Sequence, residues 1–380
     1  MSTASASAQL LCELIAIPSV NPAFLAADDP RAGEHQVAEH VIQTARRAGL
    51  DVSRQPVVDR RANILARLSP SGTVRRRLLL APHLDTVGFP GLDELLRPKV
   101  SRGRIIGRGS CDTKGCVAAM LTALMSVARK GPRPTETEIT FLGLIDEENG
   151  QLGSRHYAQN NPPADLAIVG EPTRLEVVTA HKGDVWLQLK TTGRSAHGAT
   201  PHLGRNAVHA MGKVVDLLET TYRAELTKRS HPLLGSPTIN VGAIRGGTQP
   251  NIVPDQCTIA IDRRTLPGES EALVRREISA LLRQHGLKAS FDSLRLAPCH
   301  PLETSPDLPW VQDLCRVARR QRTVGVHYFC DAAPLAEAGT PAVVFGPGDI
   351  AQAHTNDEWI SIASLDRGTA ILERFLRGLP

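Results

Sequence analysis

A chain of 380 residues, 41% hydrophobic and 22% charged, has the composition of an ordinary soluble globular protein; it is too long for one average core, so two domains or one with a large insertion are expected, not disorder. A net charge of +5 spread over scattered basic residues, with 3% aromatics, gives no stacking platform for nucleic acid, and no stretch reaches transmembrane length, so neither nucleic acid nor membrane is an expected partner. Seven cysteines, odd in number and without a CxxC, support neither a disulfide framework nor a thiolate zinc knuckle, and reduced thiols with a cytoplasmic location are the simplest expectation.

In chain order, Ala8 to Ile17 is apolar at helical spacing and ends at Pro18. No basic segment precedes it and Glu13 interrupts it, so it makes a poor signal peptide. Gly33 to Ala48 is a second helix closed by Gly49, and Ala62 to Leu68 is a strand. In LLLAPHLDTV a buried strand, Leu78 to Ala81, runs into His83 and Asp85. Residues two apart in extended backbone point the same way, and an imidazole held by a carboxylate is the usual form of a metal-bound histidine; the alternative is a surface turn. The block RIIGRGSCDTKGCVAAMLTALMSVARK is a short strand, a turn through Gly107 and Gly109, and a helix from Cys116 to Arg129. It lacks the third glycine and the distant acid of a dinucleotide fingerprint. Asp112, just before that helix, is either an N-cap or a ligand.

The stretch ITFLGLIDEENG organises the rest. Ile139 to Ile145 has the composition of a strand buried on both faces, and it stops at Asp146, Glu147 and Glu148. Three like charges at the carboxyl end of a strand, where open α/β sheets bind ligands, repel one another unless cations or protons hold them; the alternative is a solvated turn. The plan repeats in DLAIVGEPT, where strand Leu166 to Val169 ends at Glu171, and in TPAVVFGPGDIAQAHTNDEW, where strand Ala342 to Phe345 leads to His354. His83, Asp112, Glu147, Glu148, Glu171 and His354 are thus expected along one edge of one sheet, and imidazole mixed with carboxylate suits zinc, cobalt or manganese in a two-metal site. The segment between Glu171 and His354 reads β-α-β-β-α-β: Val177 to Thr191, Ala207 to Thr221, Thr238 to Ile244, Cys257 to Arg263, Glu269 to His285 and Leu287 to Leu294. That is the ferredoxin-like order. The expected domains are residues 1–176 with 290–380, and an insertion over 177–289.

HLD at 83, GRGSCDTKG around 112, DEENG at 146, VGEPT at 169, GRSAHGATPHLGRNA at 193, GGTQPNIVPD at 246 and GPGDIAQAHTNDEW at 346 together resemble the dinuclear-zinc deacylases and peptidases. That family includes acetylornithine deacetylases, succinyl-diaminopimelate desuccinylases, aminoacylases and G-type carboxypeptidases. The GPGDIAQAH stretch is most similar to the acetylornithine deacetylases, whereas Thr113 stands where close deacylases commonly have Met. The resemblance implies an α/β fold: a zinc-peptidase-like catalytic domain with a central, mostly parallel sheet and an inserted ferredoxin-like dimerisation or lid domain. It implies that Asp112 bridges two zinc ions, with cobalt as an alternative, that His83 and Glu171 complete one, and that Glu148 and His354 complete the other. The residues alone do not separate the roles of Glu147 and Glu148; the resemblance makes Glu147 the general base. It also implies that Asp85 orients His83, that the Asp112–Thr113 peptide is cis, and that His197 donates to the oxyanion from the partner subunit of a homodimer. As a lone histidine, His197 would more often be structural. Asn251, Arg264, Gly247 and Thr248 resemble substrate-binding positions, with Arg264 suited to fork a carboxylate and Arg263 its competitor. The implied reaction is hydrolysis of an N-acyl amino acid, foremost N-acetylornithine. N-succinyl-diaminopimelate, other acylated amino acids and peptides are the alternative substrates, and a degenerate ligand-binding member is the non-enzymatic alternative.

Overall fold

The structure, a computed structural model, describes residues 5–26, 28–88 and 92–380. In chain order the principal elements begin with α1 (Ala6–Ile15), α2 (His35–Arg47), β1 (Asp51–Val58), β2 (Arg61–Leu68) and β3 (Arg76–Pro82). There follow α3 (Lys114–Lys130), β4 (Thr137–Gly143), α4 (Leu152–Asn160), β5 (Leu166–Gly170), β6 (Val178–His181) and β7 (Gly183–Thr192). The remainder are α5 (Ala207–Leu217), β8 (Thr238–Gly246), β9 (Gln256–Thr265), α6 (Glu271–Gln284), β10 (Ser290–Ser293), α7 (Ala332–Glu337), β11 (Ala342–Val344) and α8 (Ile362–Arg377). Two compact units emerge: Met1–Thr179 with Thr304–Val324 and Cys330–Pro380, and Ala180–Glu303 with Gly325–Phe329.

The first unit is built on a mixed sheet ordered β1-β2-β4-β3-β5-β11-β6. Its centre, β4-β3-β5-β11, is parallel, and the flanking strands run antiparallel. β5 is buried throughout and β3 from Leu78 onward, which is why both read as continuous apolar runs rather than alternating ones. Leu11 and Leu14 of α1, Val117 and Leu124 of α3, and Leu372 and Phe375 of α8 share one core with Leu78, Phe141 and Ile168 of the strands. In the register Leu80 lies opposite Phe141 and Pro82 opposite Gly170, so the parallel strands end at nearly one level. The residues just beyond each strand are thereby delivered to a common edge.

The second unit is a four-stranded antiparallel sheet ordered β8-β9-β7-β10 with α5 and α6 packed on it. In β9 every second residue is buried: Cys257, Ile259, Ile261, Arg263 and Thr265 face the helices, while Asp262 and Arg264 share the other face. α5 continues through a π-helical turn, Leu218–Tyr222, into a short helix ending at Thr227. The compact unit runs past residue 290, the expected point of return, because β10 pairs with β7 and so belongs to this sheet. Likewise the stretch read as one strand from Val177 is two, β6 and β7, separated at Lys182. Among the described residues all seven cysteines are free, and no helix is long and apolar enough to cross a membrane.

Candidate metal centre

His83 comes directly after β3 and bridges to Leu144 beyond β4, while Glu171 comes directly after β5. Two neighbouring parallel strands therefore place the imidazole and the carboxylate side by side: His83 Nε2 lies 3.8 Å from Glu171 Oε1 and 3.1 Å from Asp112 Oδ1. The other oxygen of Asp112 lies 3.3 Å from His354 Nε2, which is 3.1 Å from Glu148 Oε2. Asp112 thus spans the two imidazoles. One donor atom each from His83, Glu147 and Glu171 falls within 4.8 Å of the others, and so does one each from His83, Asp112 and Glu148. The Asp112–Thr113 peptide is cis, and Thr113 Oγ1 donates to the Gly170 carbonyl at 2.8 Å, tying the Asp112 turn to the end of β5.

Behind these groups lies a buried polar network. His83 Nδ1 donates to the Asp85 carbonyl at 3.0 Å, with the Asp85 carboxylate 3.3 Å away. The two oxygens of Asp85 also accept the N–H groups of Glu147 and Glu148, both at 3.1 Å, so one carboxylate fixes the ring and the acidic turn together. Asn21 donates to Asp85 at 2.8 Å and to Asp146 at 3.0 Å, and Arg61 joins Asp146 at 3.0 Å to Glu34 at 2.6 Å. Asp146 and His354 both have left-handed backbone, φ 66° and 60°, a conformation that costs a non-glycine residue about 1–3 kcal/mol and persists only where the surroundings hold it. Sequence reasoning did not find Asn21, Glu34, Arg61, the buried Glu358 or the buried Asp331, whose Oδ1 takes the Ser154 hydroxyl at 2.6 Å. Only Glu358 stood inside a stretch already singled out, GPGDIAQAHTNDEW.

The electrostatics are those of crowded acid. Burial, then the charge of Glu171, holds Glu147 well above the usual carboxylate range; burial, then Asp112, pushes Glu148 up to about 7. Burial raises Glu171 strongly, against the pull of His83. Asp112 is held low in spite of its burial by the two histidines it touches, and His354 is raised to about 10 by Asp112 and Glu148. Four carboxylates facing two imidazoles at these separations call for more positive charge than the side chains supply. Nitrogen and oxygen donors so placed fit divalent cations of the zinc, cobalt or manganese type, and not a soft thiolate site.

The remaining sequence candidates lie in the second unit. Gly198 N–H donates to the Asn251 carbonyl at 2.8 Å and Val253 N–H to the Ala196 carbonyl at 2.9 Å, so the His197 and Asn251 loops pair with each other. His197 is exposed, and its Nδ1 accepts the Ala199 N–H at 3.0 Å, which leaves Nε2 as the protonated nitrogen of the neutral ring. Gly247 and Thr248 line a cavity of about 520 Å³ together with Gly198, Pro201 and Asn206. Arg264 sits apart from that cavity: its Nε and Nη2 donate to Asp262, both at 2.9 Å, with Asp184 at 3.7 Å. Arg263 is fully buried against Glu269.

Residues 79–378 match the model of Peptidase family M20/M25/M40. An acetylornithine deacetylase of Vibrio cholerae serotype O1 is 31% identical over 357 residues, 91% of this chain and 92% of that protein. Among solved structures, an M20 family metallo-carboxypeptidase from Sulfolobus solfataricus superposes with a TM-score of 0.77 at 18% identity, over 98% of this chain and 99% of that one. A dinuclear metal binding peptidase of the M20 family from Bacillus subtilis superposes with a TM-score of 0.70 at 11% identity, over 98% and 96%. The strand ends thus carry their donors within a fold that these M20 enzymes share, and with the family model spanning most of its length this chain belongs to Peptidase family M20/M25/M40 and is a metal-dependent amidohydrolase.

Proposed function

We propose that this protein hydrolyses the amide bond of an N-acyl amino acid, with N-acetylornithine or a closely related N-acetyl amino acid as substrate, as in arginine biosynthesis. The observation that carries the reading is the buried donor cluster at the strand ends, and near-full-length similarity to acetylornithine deacetylases supports the choice of substrate. Two divalent ions, zinc or alternatively cobalt, would be held by His83, Asp112 and Glu171 and by Asp112, Glu148 and His354. Such ions supply Lewis acidity, which lowers the pKa of water and polarises an acyl carbonyl.

The side chains do the rest. Glu148 bonds His354, which supports it as a ligand, and leaves Glu147 to take a proton from the attacking water at its carboxylate and to return it to the departing amine nitrogen. The N–H groups of Glu147 and Glu148 are pinned by Asp85, so the base is held in place and His83 keeps the tautomer that presents Nε2 to a cation. In a homodimer, His197 of one subunit would direct its Nε2–H at the oxyanion formed in the other, the role that the pairing of its Nδ1 with Ala199 favours. Arg264, with Asn251, would grip the substrate α-carboxylate, the guanidinium exchanging Asp262 for the substrate's charge, while Gly247 and Thr248, in the cavity apart from Arg264, would bind another part of the substrate.

The test is a hydrolysis panel of N-acetyl, N-succinyl and peptidyl amino acids, run on metal-stripped protein with zinc or cobalt restored. N-acetylornithine should be hydrolysed fastest. Preference for N-succinyl or peptidyl substrates would overturn the acetyl assignment and favour a desuccinylase or a carboxypeptidase.

A further inference from the structure

Glu358 lies four residues beyond His354, has no solvent exposure, and is surrounded by donors. Its Oε1 accepts the N–H groups of Cys111 at 2.8 Å and Asp112 at 2.9 Å; its Oε2 accepts Gly109 N–H at 2.9 Å and Arg108 Nη1 at 2.7 Å. Arg108 Nη2 donates in turn to the Thr355 carbonyl at 3.0 Å, and Gly107 N–H to the Glu358 carbonyl at 3.0 Å. These six hydrogen bonds, four of them charge-assisted through one carboxylate, stitch the turn that carries Asp112 to the segment that carries His354, beside the Cys111 Sγ contact with the Asp349 carbonyl at 3.3 Å.

The two sides of the centre differ in how they are held. His83 and Glu171 extend strands paired in one sheet, and Thr113 ties Asp112 to that side through Gly170. An antiparallel pairing of Trp359–Ser361 with Arg104–Ile106 joins the chain on either side, but His354 itself sits on a loop five residues ahead of that pairing, half exposed and with left-handed backbone, and Asp112 lies six residues beyond it. The clamp at Glu358 carries that constraint from the paired strands onto the Asp112 turn itself. A buried ion pair kept only for packing would have no reason to spend three backbone N–H groups on the turn of one ligand while lying on the segment of another.

We propose that Glu358, with Arg108 as its partner, is a positioning residue that sets the separation of Asp112 and His354, and so the affinity for one cation of the pair. This rests on the reading of Asp112 and His354 as ligands. Glu358→Gln keeps the shape but removes the charge and turns an amide N–H₂ toward donors. It should weaken the cation held by Asp112, Glu148 and His354 by about 10- to 100-fold, the usual effect of losing an outer-shell partner, and leave the other unchanged.

The experiment titrates cobalt(II) into the metal-stripped full-length chain, following visible absorption and competition with a chelator, for wild type, His354→Ala and Glu358→Gln. Wild type should take two equivalents, His354→Ala should lose one, and Glu358→Gln should keep one at wild-type affinity with the second weakened. If His354→Ala loses an equivalent while Glu358→Gln binds both as wild type does, the positioning role is overturned and the ligand reading stands. If His354→Ala keeps both, the ligand reading fails and the proposal with it. Equal weakening of both equivalents in Glu358→Gln marks general destabilisation and also overturns the proposal. Should Glu358→Gln not fold, Arg108→Lys decides: selective weakening of the second equivalent supports the role, and two wild-type equivalents overturn it.

Discussion

Arg263 in the second unit has no solvent exposure, and both oxygens of Glu269 meet its guanidinium at 2.9–3.0 Å; Glu269 also receives Arg229, which reaches on to Glu277. Around His83 in the first unit the balance is the reverse, with Asp112, Glu147, Glu148 and Glu171 set against two imidazoles. Both clusters are buried and ionic, yet one closes on itself and the other leaves negative charge over. A cluster neutral within its own side chains locks a fold. One in deficit asks for something from outside, and that deficit, not burial or charge alone, marks a site.

The largest effect expected is on turnover. Glu147→Ala should lower kcat by about 10²–10⁴, the range of general acid–base catalysis, while metal content stays near wild type. Metal analysis beside kinetics checks it, and loss of metal in this variant with both metals retained in Glu148→Ala would exchange the two roles. Next, Arg263→Met leaves the Glu269 charge to Arg229 alone and should destabilise the fold by about 3 kcal/mol, the lower end of the cost of breaking a buried pair, in denaturant titration, with cation stoichiometry unchanged. A parallel fall in stoichiometry would erase the distinction between the two clusters.

Stripping the cations tests the deficit itself. At a free metal concentration about 100-fold above Kd, the bound form should be more stable than the chelated form by about 2.7 kcal/mol per site, and stability should rise with added metal. Equal stability with and without metal would mean that the acidic edge is tolerated unaided. The effect of smallest slope, spread over a pH series, concerns Asp331, which burial pushes from 3.8 up to about 7. Between those values the folded state holds a proton that the unfolded chain has released, so stability in chelator should fall as pH rises from about 4 to about 7, by at most about 1.4 kcal/mol per pH unit. Asp331→Asn keeps the acceptor for Ser154 and should flatten that slope. An unchanged slope over a pH series of denaturation curves would assign it to other acids.

The part of this molecule that was legible in its sequence is the part where burial leaves no choice. β3, β4 and β5 are covered on both faces, so they appear as apolar runs, and the first polar residue beyond each run is His83, the acidic turn or Glu171. β1 escaped notice because DVSRQPVV, an edge strand largely open to solvent, has no apolar face to reveal it. The break at Lys182 was hidden because β6 and β7 are both apolar yet belong to different sheets. Strand periodicity put Arg264 and Asp262 on one face, but that they would pair with each other is a matter of side-chain reach. Asn21, Arg61 and Glu358 were beyond reach for another reason: each works through partners far away in sequence, and no local pattern announces a hydrogen bond to Asp85, Asp146 or Cys111.

The bond from Cys111 N–H to Glu358 spans 247 residues, and that separation has a meaning for how the protein is made. Loop closure over such a length adds entropy only logarithmically, so the delay is set by the order of synthesis rather than by chain statistics. A nascent chain emerging from the ribosome displays His83, Asp112, Glu147, Glu148 and Glu171 well before His354 and Glu358 have been translated. Until then the acidic edge has one of its two imidazoles and none of its clamp. A product cut short before residue 354 would keep His83, Asp112 and Glu171 but lack the second imidazole, and its unsettled sheet edge would be open to chaperones and proteases. On the proposed ligand set, the cation shared by Asp112, Glu148 and His354 can find all its donors only once residue 354 has been made.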